Sequence, residues 1–92
     1  MKDKKYQFIL FVANSQHNSV KAIFNIKQFC KNYLEDDYYL EIVDILNNHD
    51  LAVAKGVYIT PMLIVDSHHP PSYMAGDLSD ANKIKMELLT NK

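Results

Sequence analysis

Thiols, imidazoles and paired carboxylates are the side chains from which a chain this small builds chemistry, and each is sparse here. Cys30 is the single cysteine of 92 residues, so no internal disulfide can form. Thiol–disulfide exchange needs a cysteine pair where a strand meets a helix, because the helix N-terminus lowers the pKa of one thiol. The first such junction reads Asn14-Ser15-Gln16-His17-Asn18 and holds no thiol. Cys30 instead falls about three turns into the following helix, on its apolar side, where a buried and inert thiol is expected. His68 and His69, with Asp66 nearby, are the only candidate metal ligands. Adjacent histidines on extended chain point apart and no further ligand is fixed by spacing, so a solvated loop pair is expected. His17 and His49 stand alone in turns, and Asp36-Asp37 reads as a solvated turn. No glycine-rich phosphate loop, nucleophile elbow or paired-carboxylate pattern is present. The expected inventory is no catalytic residue, no cofactor site and no metal site.

The bulk properties exclude further classes. Ten basic and eleven acidic residues leave a net charge of −1, which gives no general attraction to nucleic acid or anionic lipid. The longest apolar runs, such as residues 8–13, are far short of the roughly 20 residues of a membrane span. Met1-Lys2-Asp3-Lys4-Lys5 precedes an apolar run too short for a signal peptide. A single cytoplasmic domain over residues 1–92 is expected.

The elements that must carry any site follow from periodicity. Residues 6–13 are short, aromatic and β-branched, the pattern of a strand buried on both faces. Asn18 or Ser19 is expected to cap a helix in which Val20, Ile23, Phe24, Ile26, Phe29, Cys30, Tyr33 and Leu34 form an apolar arc covering more than half the wheel. So wide an arc predicts contact with a sheet and with something else, a second helix or a partner chain. Glu35-Asp36-Asp37 opposes the helix macrodipole and should end it. Residues 38–46 form a second strand, with Leu40, Ile42 and Leu46 on one face and Tyr39, Val43 and Ile45 on the other. A short helix over residues 51–55 closes at Gly56. Thr60-Pro61 leads into a third strand at 62–65, and a loop with Pro70-Pro71 leads to a fourth at 73–75. Gly76-Asp77-Leu78-Ser79 turns into a last helix, capped by Ser79 or Asp77, with Ala81, Ile84, Leu88 and Leu89 inward. The order is βαβαββα, with parallel first strands and an antiparallel final hairpin.

This order, with Thr60-Pro61 opening the third strand, is the layout of a thioredoxin-like α/β fold with a mixed sheet. More specifically, the chain resembles the KaiB family along nearly its whole length. The resemblance is carried by residues 6–13, Asn18-Ser19-Val20-Lys21-Ala22, Val43-Asp44-Ile45-Leu46-Asn47, Thr60-Pro61-Met62-Leu63, Pro70-Pro71 and Gly76-Asp77-Leu78-Ser79. It implies a protein-binding regulator, not an enzyme. Its expected partner is a KaiC-type ATPase or a sensor kinase, with homodimers or homotetramers possible and neither nucleic acid nor membrane as partner. The alternative within the family is a self-assembling stress-response protein without a KaiC partner. The resemblance also implies a choice between two folds, the thioredoxin-like one and a ground state ordered βαββααβ.

Glu87, Leu89 and Lys92 stand where family members that switch carry Gly, Asp and Tyr. Glu for Gly inside a helix favours helix by roughly 0.5–1 kcal/mol, and Leu89 is expected to add an inward apolar group. Both favour the thioredoxin-like state. Conformational roles are expected for Tyr6, Thr60, Pro61, Pro70, Pro71, Gly76, Asp77, Glu87 and Leu89, with a cis bond before Pro61 and a stiff loop at Pro70-Pro71. The candidate contact residues are Lys21, Tyr39, Glu41, Asp44 and Tyr73. Lys21 keeps the charge of the family's Arg without its bidentate fork. If residues 38–46 are a sheet edge, a partner strand can add there, with Tyr39 and Glu41 setting specificity. Ser72, Tyr73 and Glu41 replace residues that are often basic in the family, which bears on partner choice.

Overall fold

The computed structural model describes residues 4–13 and 16–90. Met1–Asp3, Asn14-Ser15 of the expected first turn, and Asn91-Lys92 lie outside the described residues. The elements are β1 (Tyr6–Val12), α1 (His17–Tyr33), β2 (Tyr38–Asp44), α2 (His49–Ala54), β3 (Met62–Val65), β4 (Ser72–Ala75) and α3 (Ala81–Thr90), the βαβαββα order expected. The four strands form one sheet in the order β2-β1-β3-β4. β1 runs parallel to β2, with Tyr6 opposite Tyr38 and Val12 opposite Asp44. It runs antiparallel to β3, which pairs antiparallel with β4.

β1 is apolar from Phe8 to Val12 because it is central and covered on both faces. Phe8, Leu10 and Val12 pack with Leu63, Val65 and Met74 against Ala22, Ile26, Phe29 and Cys30 of α1 and Ile84 of α3. Phe11, facing the other way, packs with Val43, Ile64, Ala52 and Val57 under α2. Each fully buried large side chain here is worth roughly 1.5–3 kcal/mol. The two layers differ in size, α2 being six residues long.

Several local expectations are corrected. α1 starts at His17 with Gln16 at the N-cap, not at Asn18 or Ser19. Ser19 is buried within the first turn, where its Oγ accepts the Ala13 amide N–H at 3.1 Å and ties the end of β1 to the helix. The apolar arc of α1 is also split. Ala22, Ile26, Phe29 and Cys30 face the core, whereas Val20 and Phe24 are exposed, the latter at 62%. The helix does end where the acidic run begins: Glu35 takes φ +54, and the Leu34 amide closes the last turn on the Cys30 carbonyl.

α2 begins two residues before its expected start and is followed by Gly56 at φ +75, a left-handed position where glycine carries no Cβ penalty. The bonds before Pro61 and Pro70 are both cis. The cap of α3 is Asp80, whose Oδ1 accepts the Lys83 amide N–H at 3.2 Å, and not Ser79 or Asp77. In α3, Ile84 is buried and Ala81 and Leu88 partly so, but Leu89 is 70% exposed. Five residues on from Ile84 is about 140° around the helix, which turns Leu89 away from the face that Ile84 buries.

Candidate docking surface

β2 is an edge of the sheet, as its candidate role requires. Among the described residues no strand pairs with its outer side. Alternation along β2 places Tyr39 and Glu41 on the face of Val43, the side that α2 only partly covers. Glu41 is exposed and Tyr39 half-buried. Asp44, at the end of the strand, is engaged in the following turn: its Oδ1 accepts the Leu46 amide N–H at 2.9 Å and its carbonyl accepts Asn48 Nδ2–H at 3.0 Å. A groove of about 530 Å³ runs beside the start of β2, lined by Lys27, Gln28, Lys31, Glu35, Asp36, Tyr38 and Leu40.

The other contact candidates do not converge on this edge. Tyr73 lies on β4, the opposite edge, on the same sheet face as Glu41 but separated from it by Ile9 and Ile64 in register. At strand spacing that is about 14 Å. The Tyr73 hydroxyl donates to the Lys55 carbonyl at 2.7 Å, anchoring β4 to the end of α2. Lys21 is on α1, across the sheet, and its Nζ lies 3.1 Å from Asp77 Oδ2. Ser79 and Lys21 hold the Asp77 carboxyl below its ordinary value by hydrogen bonding and charge.

Of the groups expected to be chemically idle, Cys30 is fully buried, and burial pushes its thiol up to about 12. His68 is not the solvated side chain expected. It is buried in the β3–β4 hairpin, where Nδ1 lies 3.2 Å from Ser72 Oγ; His69 beside it is exposed. Among the described residues no cluster of three or more His, Cys, Asp or Glu is placed to hold a metal.

Sequence reasoning missed an apolar rim at the ends of β1 and β2. A groove of about 470 Å³ is lined by Ile45, Ala52, Val53, Val57, Tyr58 and Ile59, with Gln16, His49 and Thr60 at its margin. Tyr58 is 83% exposed, and Leu46, Val53 and Ile59 are also exposed. The available signal was Tyr58-Ile59, an apolar pair outside any strand and just before Thr60-Pro61.

The family model described as KaiB domain matches residues 9–89. The chain belongs to the KaiB family. A circadian clock oscillator protein KaiB from Trichodesmium erythraeum is 33% identical over 85 residues, covering 92% of this chain and 82% of that protein. The circadian clock protein KaiB3 of a Synechocystis species is 32% identical over 79 residues, covering 86% and 78%. Among solved structures, Fasciola hepatica thioredoxin superposes with a TM-score of 0.73 at 14% identity, covering 97% of this chain and 83% of that one. A mutant thioredoxin from Halobacterium salinarum gives 0.72 at 20% identity, covering 92% and 73%. This KaiB-family chain therefore has a thioredoxin-like fold, and no helix among the described residues is long and apolar enough to cross a membrane.

Proposed function

We propose that this KaiB-family chain is a non-enzymatic regulator of a cytoplasmic timing circuit, acting by docking on a KaiC-type ATPase or a related signalling kinase. The observation that supports this most is the KaiB-domain match over residues 9–89 on a thioredoxin-like frame whose strand–helix junction carries no cysteine. The clock names of the two relatives favour timing over a stress response. In this reading the outer edge of β2 supplies backbone donors and acceptors to a partner strand, and Tyr39 and Glu41 select among partners. Lys21 and Tyr73 lie outside that edge and contribute through α1 and β4. Mass measurement of the purified chain, with and without a KaiC-type hexamer and nucleotide, tests the proposal. A nucleotide-dependent complex is expected; a stable homo-oligomer that never engages the ATPase overturns it.

A second reading, self-assembly, is favoured by one feature: Val20 and Phe24 lie one turn apart and exposed on α1. The same measurement separates the two, since self-assembly gives a homodimer or homotetramer that Phe24→Asp dissociates.

A further inference from the structure

The turn between β4 and α3 holds one residue, Leu78, in a conformation its side chain does not favour. Gly76 takes φ +104, and Leu78 takes φ +62, a region costly for a leucine. Leu78 is nonetheless buried against the α1 and α3 layer. Such a conformation persists where its surroundings over-determine it, and here several contacts converge on the residue between the two. Asp77 Oδ2 lies 3.1 Å from Lys21 Nζ, and the Asp77 carbonyl accepts Asn25 Nδ2–H at 2.8 Å. Its Oδ1 accepts the Ser79 amide N–H at 3.1 Å. Lys21 and Asn25 are four residues apart, on one stripe of α1. The Gly76 amide N–H donates to the Pro61 carbonyl at 3.1 Å, fixing the other end of the turn to the start of β3.

α3 has anchors besides the turn: Lys85 Nζ lies 4.3 Å from the centroid of the Tyr33 ring on α1. Ile84 is buried, Ala81 and Leu88 are partly buried, and Met86 and Leu89 are exposed. Only Ile84 is fully buried, so the turn that delivers α3 shares in seating it on the sheet.

We propose that Asp77 is a latch: gripped by Lys21 and Asn25, it closes the β4–α3 turn on α1, and its release lets α3 open while the sheet stays formed. Lys21 is the charge that α1 brings to Asp77; the turn and α3 add the Asp80 carboxylate, which accepts the Lys83 backbone N–H in the helix cap, and the Lys83 ammonium. The depressed pKa of Asp77 keeps the latch charged across neutral and mildly acidic pH. Near neutrality the device answers to ions and competing carboxylates, which reach the partly solvated pair.

Amide exchange on the whole chain tests the latch without any partner, so its outcome is independent of the proposed function. In Asp77→Asn, which keeps an acceptor for Ser79, and in Lys21→Met, amides of residues 84–88 should exchange about three- to fivefold faster. Those of β1 and β3 should stay within about twofold. The double variant should be no faster at α3 than either single one. Raising salt from about 0.05 M to about 1 M should speed α3 exchange in the parent chain but not in Lys21→Met. Uniform acceleration across all strands, unchanged α3 exchange, or additive effects of the two substitutions would each overturn the latch. Lys21 sits on a solvated helix face, so Lys21→Met carries the test even if Asp77→Asn does not fold.

Discussion

At the residue scale, Cys30 is the single thiol of the chain and lies in the core of its thioredoxin-like fold. A thiol moved from 9.0 to about 12 by burial holds roughly a thousandfold less thiolate at pH 8, so it should resist alkylation until the chain unfolds. The sign of its pH linkage follows from the raised folded-state value. The stabilisation is fully present below pH 9 and is lost as pH rises toward 12, because the unfolded chain releases the proton first. Between those limits the Cys30 contribution to unfolding free energy should fall by roughly 1.4 kcal/mol per pH unit. Cys30→Ala should remove that slope, and comparing denaturant midpoints of the two proteins from about pH 8 to about pH 11 measures it. Equal slopes would mean the thiol is more solvated than its packing against Ile26, Phe29 and Leu10 implies. Asp44 and Tyr73 teach a related lesson. Both are candidate contact residues that also make intramolecular hydrogen bonds, to the turn after β2 and to the end of α2.

At the element scale, strands and helices were legible where apolar periodicity was strong and less so where a polar side chain chose between jobs. β3 was placed to the residue, because Met62–Val65 is apolar and follows a proline. The caps were missed because Ser19, Asp77 and Asp80 are all competent, and only tertiary contact decides which one meets a free amide. Leu89 was assigned inward because α3 ends in two leucines, and the sheet accepts only the one in phase with Ile84. Ile84→Ala should therefore destabilise by roughly 2–5 kcal/mol, while Leu89→Ala should stay within about 0.5 kcal/mol. Chemical denaturation distinguishes them, and comparable losses would place Leu89 in the core. The β2 strand was legible from sequence, but its edge position and its separation from Lys21 and Tyr73 were not, because residues on different elements share no periodicity. On the proposed reading, Glu41→Lys should leave stability within about 0.5 kcal/mol and change the association rate and salt dependence of ATPase binding by about tenfold. Unchanged association kinetics would move the docking surface away from β2.

For the whole molecule, the resemblance allowed two folds of one chain, and the arrangement described here is the thioredoxin-like one. Physical reasons for it are spread along the sequence. β1 is paired on both sides, parallel to β2 and antiparallel to β3, so either partner's departure leaves a row of its backbone N–H and C=O groups unpaired inside the core. Glu87 sits inside α3, where the helical propensity argument holds even though the burial argument for Leu89 does not. The helical state thus draws on propensity, on Ile84 and on the Lys85–Tyr33 contact with α1, and not on a fully apolar α3. The expected solution behaviour is one dominant state with helical coupling across residues 84–88. Cross-strand contacts should appear between Leu10 and Ile42, and between Ile9 and Ile64. Nuclear Overhauser contacts with amide exchange check this directly. Extended-strand signatures over residues 84–89, in a population comparable to the helical one, would show that Glu87 and the α1 contacts are too weak to decide the fold.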